Sequence, residues 1–192
     1  MAAKIRKKYS VTRRDQLKVL ASTIRFDLFF ELARLGGGTV REVAESLGKS
    51  PVSLYRHMSL LVECGLVRVE GTSSEGSSKA DVYVPIAHEL LLPKRVDHPE
   101  LMDAVTAVFR AQCRNCEDEF LSGYVSPQAR FRGVRRNLFM INGVSWLTSS
   151  ELKEVNSLIN DIYSIVNKAE PWREGTEKVG ITLTLRPIEE KE

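Results

Sequence analysis

"SPVSLYRHMSLLVECGLVRVE", residues 50–70, is the stretch on which the reading of the whole chain turns. Ser50 followed by Pro51 is a helix start, because Ser is a favoured N-cap and proline lacks an N–H that would be unsatisfied there anyway. Leu54, Met58 and Leu61 fall at i, i+4 and i+7 and predict a buried stripe. Gly65 ends the helix, and Leu66–Glu70 reads as a strand. The face opposite the stripe carries Val52, Ser53, Tyr55, Arg56 and Ser59, with no acid before Glu63. Such a face can be merely wet, or it can be made to lie against something negative.

The flanking segments decide between a lone helix and a motif. Upstream, Thr39-Val-Arg-Glu42 has the spacing of a capping box and opens a short helix with Val40, Val43, Ala44 and Leu47 inward, closed by Gly48. Two short helices across a glycine-containing turn form a helix-turn-helix pattern. Downstream, the small polar run "GTSSEGSSK" (71–79) precedes "ADVYVPI" (80–86), a second strand stopped by Pro85. A hairpin placed there is a wing. Further upstream, Thr12-Arg-Arg-Asp15 reads as a capping box for a helix to Leu20. Ser22 reads as the cap of another, apolar at Ile24, Leu28, Phe29, Phe30 and Leu32 and ending before Gly36–Gly38.

Residues 12–86, taken as an ordered set, resemble the ArsR-type winged-helix repressor family. "ASTIRFDLFFELA" is similar to its second helix and "TVREVAESLGKSPVSLYRHMSLLVECGLV" to its helix-turn-helix. The resemblance implies a homodimeric transcriptional regulator that binds a double-stranded DNA operator, with helices outside the winged core forming dimer contacts. Some members bind metals through paired cysteines before the recognition helix; "VREVAESLG" contains none.

Composition agrees with a globular chain of one large or two small domains: 192 residues, 43% hydrophobic and 28% charged. No apolar run approaches the roughly 20 residues that span a bilayer, so no membrane partner is expected. "MAAKIRKKYS" is basic with no apolar segment after it, unlike a secretory leader. Three cysteines, an odd number, fit a reducing cytoplasm. The net charge of +3 is small, but residues 1–14 hold six Lys and Arg without an acid. That cluster reads as a solvated tail or as a phosphate-seeking arm.

After His98 the pattern changes. Pro99 begins a long helix to about Leu121, with Leu101, Val105 and Val108 on one stripe and Met102, Phe109, Cys113, Cys116 and Phe120 on the next. Residues 122–136 read as a basic irregular segment, and "NLFMINGVSW" (137–146) as a strand turning at Asn142-Gly143. Thr148–Glu151 caps a helix to about Lys168, and "KVGITLTLRPI" (178–188) alternates like a half-buried strand. The expected class is therefore α+β: a basic N-terminal arm (1–11), a winged helix-turn-helix (12–88), and a mostly helical α/β domain for dimerisation (89–192). More loosely, that last part resembles a ligand-sensing subgroup of the same family, which implies a small-molecule effector of unstated chemistry.

The chemistry follows from these placements. Hydroxyl and guanidinium groups of Ser53, Tyr55, Arg56 and Ser59 suit base edges in a major groove roughly 12 Å wide, and Val52 suits a thymine methyl. N–H groups near Ser50 and Pro51 suit a phosphate. Arg68 and Lys79 flank the wing and point to backbone or minor groove; His57 lies at the stripe's edge, as a packed residue or a phosphate contact. Arg25 and Arg41 are weaker backbone candidates. Cys64 reads as core. Cys113-Arg-Asn-Cys116 lies mid-helix with no second CxxC, so structural cysteines are expected and a redox or metal sensor is the alternative. No GxSxG, HExxH, Walker A or dinucleotide fingerprint occurs, so neither an enzyme nor a cofactor is expected. A winged-helix module that binds protein rather than DNA is the competing class.

Overall fold

The computed structural model describes residues 5–75, 78–168, 175–177 and 179–188. Lys4, residues 76–77 and Lys178 lie outside the described residues. The order is β1 (Arg6–Ser10), α1 (Arg14–Leu20), α2 (Thr23–Leu35), α3 (Val40–Leu47), α4 (Pro51–Glu63), β2 (Val67–Glu75), β3 (Ser78–Pro85), β4 (Ala87–Leu91), α5 (Pro99–Tyr124) and α6 (Ser149–Lys168). The chain is thus mixed helix and strand, in two compact units divided at Asn115/Cys116.

In the first unit, α1–α4 surround one core. Leu17 and Leu20 of α1, Leu28, Phe29 and Leu32 of α2, Val40 and Val43 of α3, and Leu54, Met58 and Leu61 of α4 are all buried in it. The expected stripe of α4 is therefore the inward one. Burying a side chain of this size contributes about 1.5–3 kcal/mol, which holds a thirteen-residue helix that would be marginal alone. Thr39 makes the expected capping box: its Oγ1 accepts from Glu42 N at 3.2 Å, while its own N–H donates to Glu42 Oε2 at 2.6 Å. The box expected at Thr12–Asp15 does not form. Arg13 is the N-cap, without a side-chain cap, and ion-pairs with Asp15, whose carboxyl it holds below the usual range. The helix starts one residue later than that box requires, and Arg13 engages the Asp15 carboxylate.

Gly36–Gly38 do more than turn the chain. Gly38 exchanges two hydrogen bonds with Tyr83, at 2.9 and 2.8 Å, and so bridges α2 to β3. Gly37 has φ +116°, and a Cβ there would meet Tyr83 O at 3.1 Å and Val84 Cγ2 at 3.2 Å, so only glycine permits the approach. β2 and β3 pair antiparallel from Val67↔Pro85 to Glu75↔Ser78, with one extra residue on β2 between Val69 and Thr72. Gly71, at φ +139°, sits in that bulge. Thr72–Glu75, with Ser78 and Lys79 opposite, extend the ladder rather than looping out of it.

Among the described residues, the basic ones before Val11 are not a free arm. Arg6–Ser10 pairs in parallel with Ala87–Leu91, a strand absent from the sequence reading, and Lys8 ion-pairs with Glu89 at 3.0 Å. Buried Gln16 ties this pair to the core. It accepts from Tyr9 Oη at 3.1 Å and donates to the Cys64 carbonyl at 3.0 Å. The first half of α5 belongs to the same unit, through Ala104, Val108 and Ala111, which are buried, and Leu101 and Val105, which are partly so. The first compact unit thus runs on to Asn115.

The second unit holds the end of α5 and all of α6, and its described residues contain no strand. Residues 137–146 and, of the segment 178–188, the described 179–188, expected to be strands, carry no ladder and are almost wholly exposed. Their alternation marks residues able to lie in a sheet, but no described strand pairs with either. The Thr148 box does form: Oγ1 accepts from Glu151 N at 3.3 Å, and Thr148 N–H donates to Glu151 Oε2 at 2.7 Å. Among the described residues, none from Cys116 onward is buried.

Candidate nucleic-acid interface

Packing of Leu54, Met58 and Leu61 against α2 and α3 fixes the rotation of α4, and with it which residues face out. Val52, Ser53, Tyr55, Arg56 and Ser59 are all exposed, Val52 by 81% and Tyr55 by 52%. None of the described residues covers this face. Ser50 is the N-cap without a side-chain cap, and Pro51 occupies the first turn.

The serine hydroxyls are not free donors. Ser53 Oγ donates to the Ser50 carbonyl at 2.7 Å, and Ser59 Oγ to the Tyr55 carbonyl at 3.1 Å. With their protons committed to backbone, both present lone pairs outward and can accept from an amino group of cytosine or adenine. Arg56 and Tyr55 then remain the outward donors of the face.

His57 is half-buried, and its Nδ1 is buried without a hydrogen-bond partner among the described residues. Burial first, then the charges of Arg25 and Arg56, hold its pKa below the ordinary value. Arg25 donates through Nε to the Val19 carbonyl at 2.6 Å and through a terminal nitrogen to Lys18 O at 3.4 Å, which anchors it beside α1. Arg68 is half-buried in the hairpin: it ion-pairs with Glu70 at 3.4 Å and reaches the Pro85 carbonyl at 3.5 Å. Its guanidinium stiffens the base of β2–β3. Lys79, opposite Ser74 near the hairpin end, is exposed.

The structure thus brings Val52, Ser53, Tyr55, Arg56 and Ser59 onto one open face, with His57 at its edge. Arg68 and Lys79 lie on the neighbouring hairpin. Tyr83 was missed by sequence reasoning. Burial, then Asp81 and Tyr55, raise its phenol pKa. Its only sequence signal is its place in the alternation of "ADVYVPI".

Cys64 is core: its thiol donates to Leu61 O at 3.4 Å, and burial pushes its pKa up. Cys113 is exposed and Cys116 half-buried, both as free thiols. Among the described residues no three His, Cys, Asp or Glu side chains gather as metal ligands, and no helix is long and apolar enough to cross a membrane. No family model and no curated protein matches this sequence.

Proposed function

We propose that the chain is a winged helix-turn-helix, sequence-specific double-stranded DNA-binding regulator of transcription, acting in the cytoplasm as a homodimeric repressor. The observation that carries the reading is the outer face of α4, which is open, free of acids from Pro51 to Val62, and fixed in rotation by three buried residues behind it. A negative duplex meets no carboxylate on it. Arg56 is the residue expected to read a base, with Ser53 and Ser59 accepting from amino groups and Val52 against a methyl. Tyr55 and the hairpin with Lys79 supply backbone contacts, as do the N–H groups at Ser50 and the start of α4. The second unit provides dimer contacts and the place where a small-molecule effector acts.

Selection of bound fragments from random duplex DNA by the full chain tests this. Two related half-sites about 34 Å apart, one helical turn, are expected. An unenriched pool would overturn sequence-specific binding. Arg56→Ala should weaken binding to the selected duplex by about 1–3 kcal/mol and relax preference at one position. A protein-binding winged helix is the second reading, supported by the exposure of Val52 and Tyr55. A flat response of DNA affinity to salt would select it.

A further inference from the structure

The second unit carries an electrostatic feature that the reading above does not use. Arg130, Arg132, Arg135 and Arg136 lie within seven residues, and among the described residues the carboxylate that meets this turn is Glu177, ion-paired with Arg130 and 3.8 Å from Arg135. Four guanidiniums so close in sequence repel one another, so an unconstrained segment would spread them apart. Here the turn is held shut by uncharged bonds. Arg130 N–H donates to Asn137 Oδ1 at 2.8 Å, Asn137 N–H to Arg130 O at 3.0 Å, and Asn137 Nδ2 to Gln128 O at 3.2 Å. Arg130 Nε donates to the Arg135 carbonyl at 2.7 Å, and Gly133, at φ +80°, lets the chain reverse.

Arg130 is therefore a strut, while the other three arginines are presented. Arg132 and Arg136 are exposed, and the side chain of Arg135 is 82% exposed. Arg136 stacks over Phe139, 4.0 Å from the ring centroid. Stacking orders the guanidinium through its face, and among the described residues no side chain takes up its N–H fork, the geometry that suits a phosphate. Arg130, Arg135, Arg136, Asn137 and Glu177 line a shallow, open cleft. A small anion there would stay largely hydrated and bind weakly, whereas a chain of phosphates gains from each counterion it releases.

We propose that the 130–137 turn is a phosphate-backbone contact for duplex DNA, distinct from the base-facing side of α4. It rests on the DNA-binding reading above and adds to it a sequence-independent term. Ordering of the turn before binding lowers the entropy cost when its arginines engage.

The test is a salt series, about 50 to 200 mM, of full-chain affinity for the selected duplex and for a random one, read by fluorescence anisotropy. The R132A/R135A/R136A variant should lower the slope of log affinity against log salt by about 0.9 for each phosphate it no longer neutralises, up to about 2.7, equally on both duplexes. Base preference should not change, whereas R56A should change it. The R132K/R135K/R136K variant should keep most of the slope, which separates removal of charge from damage to the fold. An unchanged slope in the alanine variant, with wild-type binding intact, overturns the turn's role and leaves α4 standing. So does an unchanged slope with inorganic phosphate binding wild type and not the alanine variant, which would assign the cleft to small anions. Wild type that binds neither duplex overturns both readings.

Discussion

Met58 in α4 has no exposed surface, whereas Leu158, an apolar residue at a similarly helical position in α6, is 57% exposed. The two units differ throughout in this way. In the first, α1–α4 turn their apolar stripes onto the same core, as α5 does with Ala104 and Val108 though not with Met102 and Phe109; in the second, Phe139, Met140, Ile141, Trp146, Ile165 and Leu183 all stand in solvent. Amphipathic periodicity makes a helix in both places. It makes a closed core only where other elements supply the facing surface. Leu152, Val155, Ile159, Ile162 and Val166 repeat at spacings of three and four, and the flanking Asn156, Leu158, Tyr163 and Ile165 are uncharged. Beyond Glu151 at its first turn the stripe has no charge at these flanking positions and so carries no code against itself, and a second copy is the natural cover under the homodimer reading.

Four measurements break or sharpen this contrast. Met58→Ala should lower unfolding free energy by about 2–5 kcal/mol at any protein concentration, because it opens a cavity in a closed core. Leu158→Ala should cost little in dilute protein and more as concentration rises, since its burial waits on association. Equal, concentration-independent losses in denaturant melts would erase the distinction. Ile159→Asp should raise the dimer dissociation constant by about 100-fold, roughly 2.7 kcal/mol, in sedimentation equilibrium. Asn160→Asp on the same helix should leave it unchanged; an unaffected dimer in the first variant would remove α6 from the interface. Gln16→Leu should cost about 1–3 kcal/mol, because it strands the buried Cys64 carbonyl without its donor. An undiminished melting temperature would show that β1 is not anchored through it.

The smallest effect concerns His57. Its folded pKa lies below the ordinary value, so the unfolded chain takes up the proton first as pH falls. Fold stability is then full above the ordinary histidine range and declines as pH drops through and below it. A phosphate beside the ring would act the other way: binding would take up a proton, and DNA affinity would rise as pH falls from about 8 to about 5. His57→Gln should flatten that dependence. Wild-type affinity that does not change with pH would make His57 a packing residue only.

Much of the first unit was legible in residues alone. Leu54, Met58 and Leu61 announced the buried side of α4, Thr39 and Glu42 the start of α3, and Gly65 the end of α4, because each rests on neighbours within a turn or two. The outward residues of α4 followed from the same stripe. What escaped depends on distant partners. β1 and β4 are short strands with no alternation to betray them, and each exists only because the other lies alongside. The inward side of α5 is lined by Ala104 and Ala111, whose small size permits close packing but gives little hydropathy signal. Arg68 looked available and is tied to Glu70 and Pro85, and the serines looked like donors until their carbonyl partners were located.

Local order, then, was written in the chain: where helices begin and stop, and which side of each must be hidden, since capping and periodicity are properties of adjacent residues. Tertiary structure decided which alternating segments found a ladder, which cations were consumed internally, and which apolar stripes were left uncovered. Those outcomes depend on what surface arrives from elsewhere in the chain, and no window of neighbouring residues contains that information.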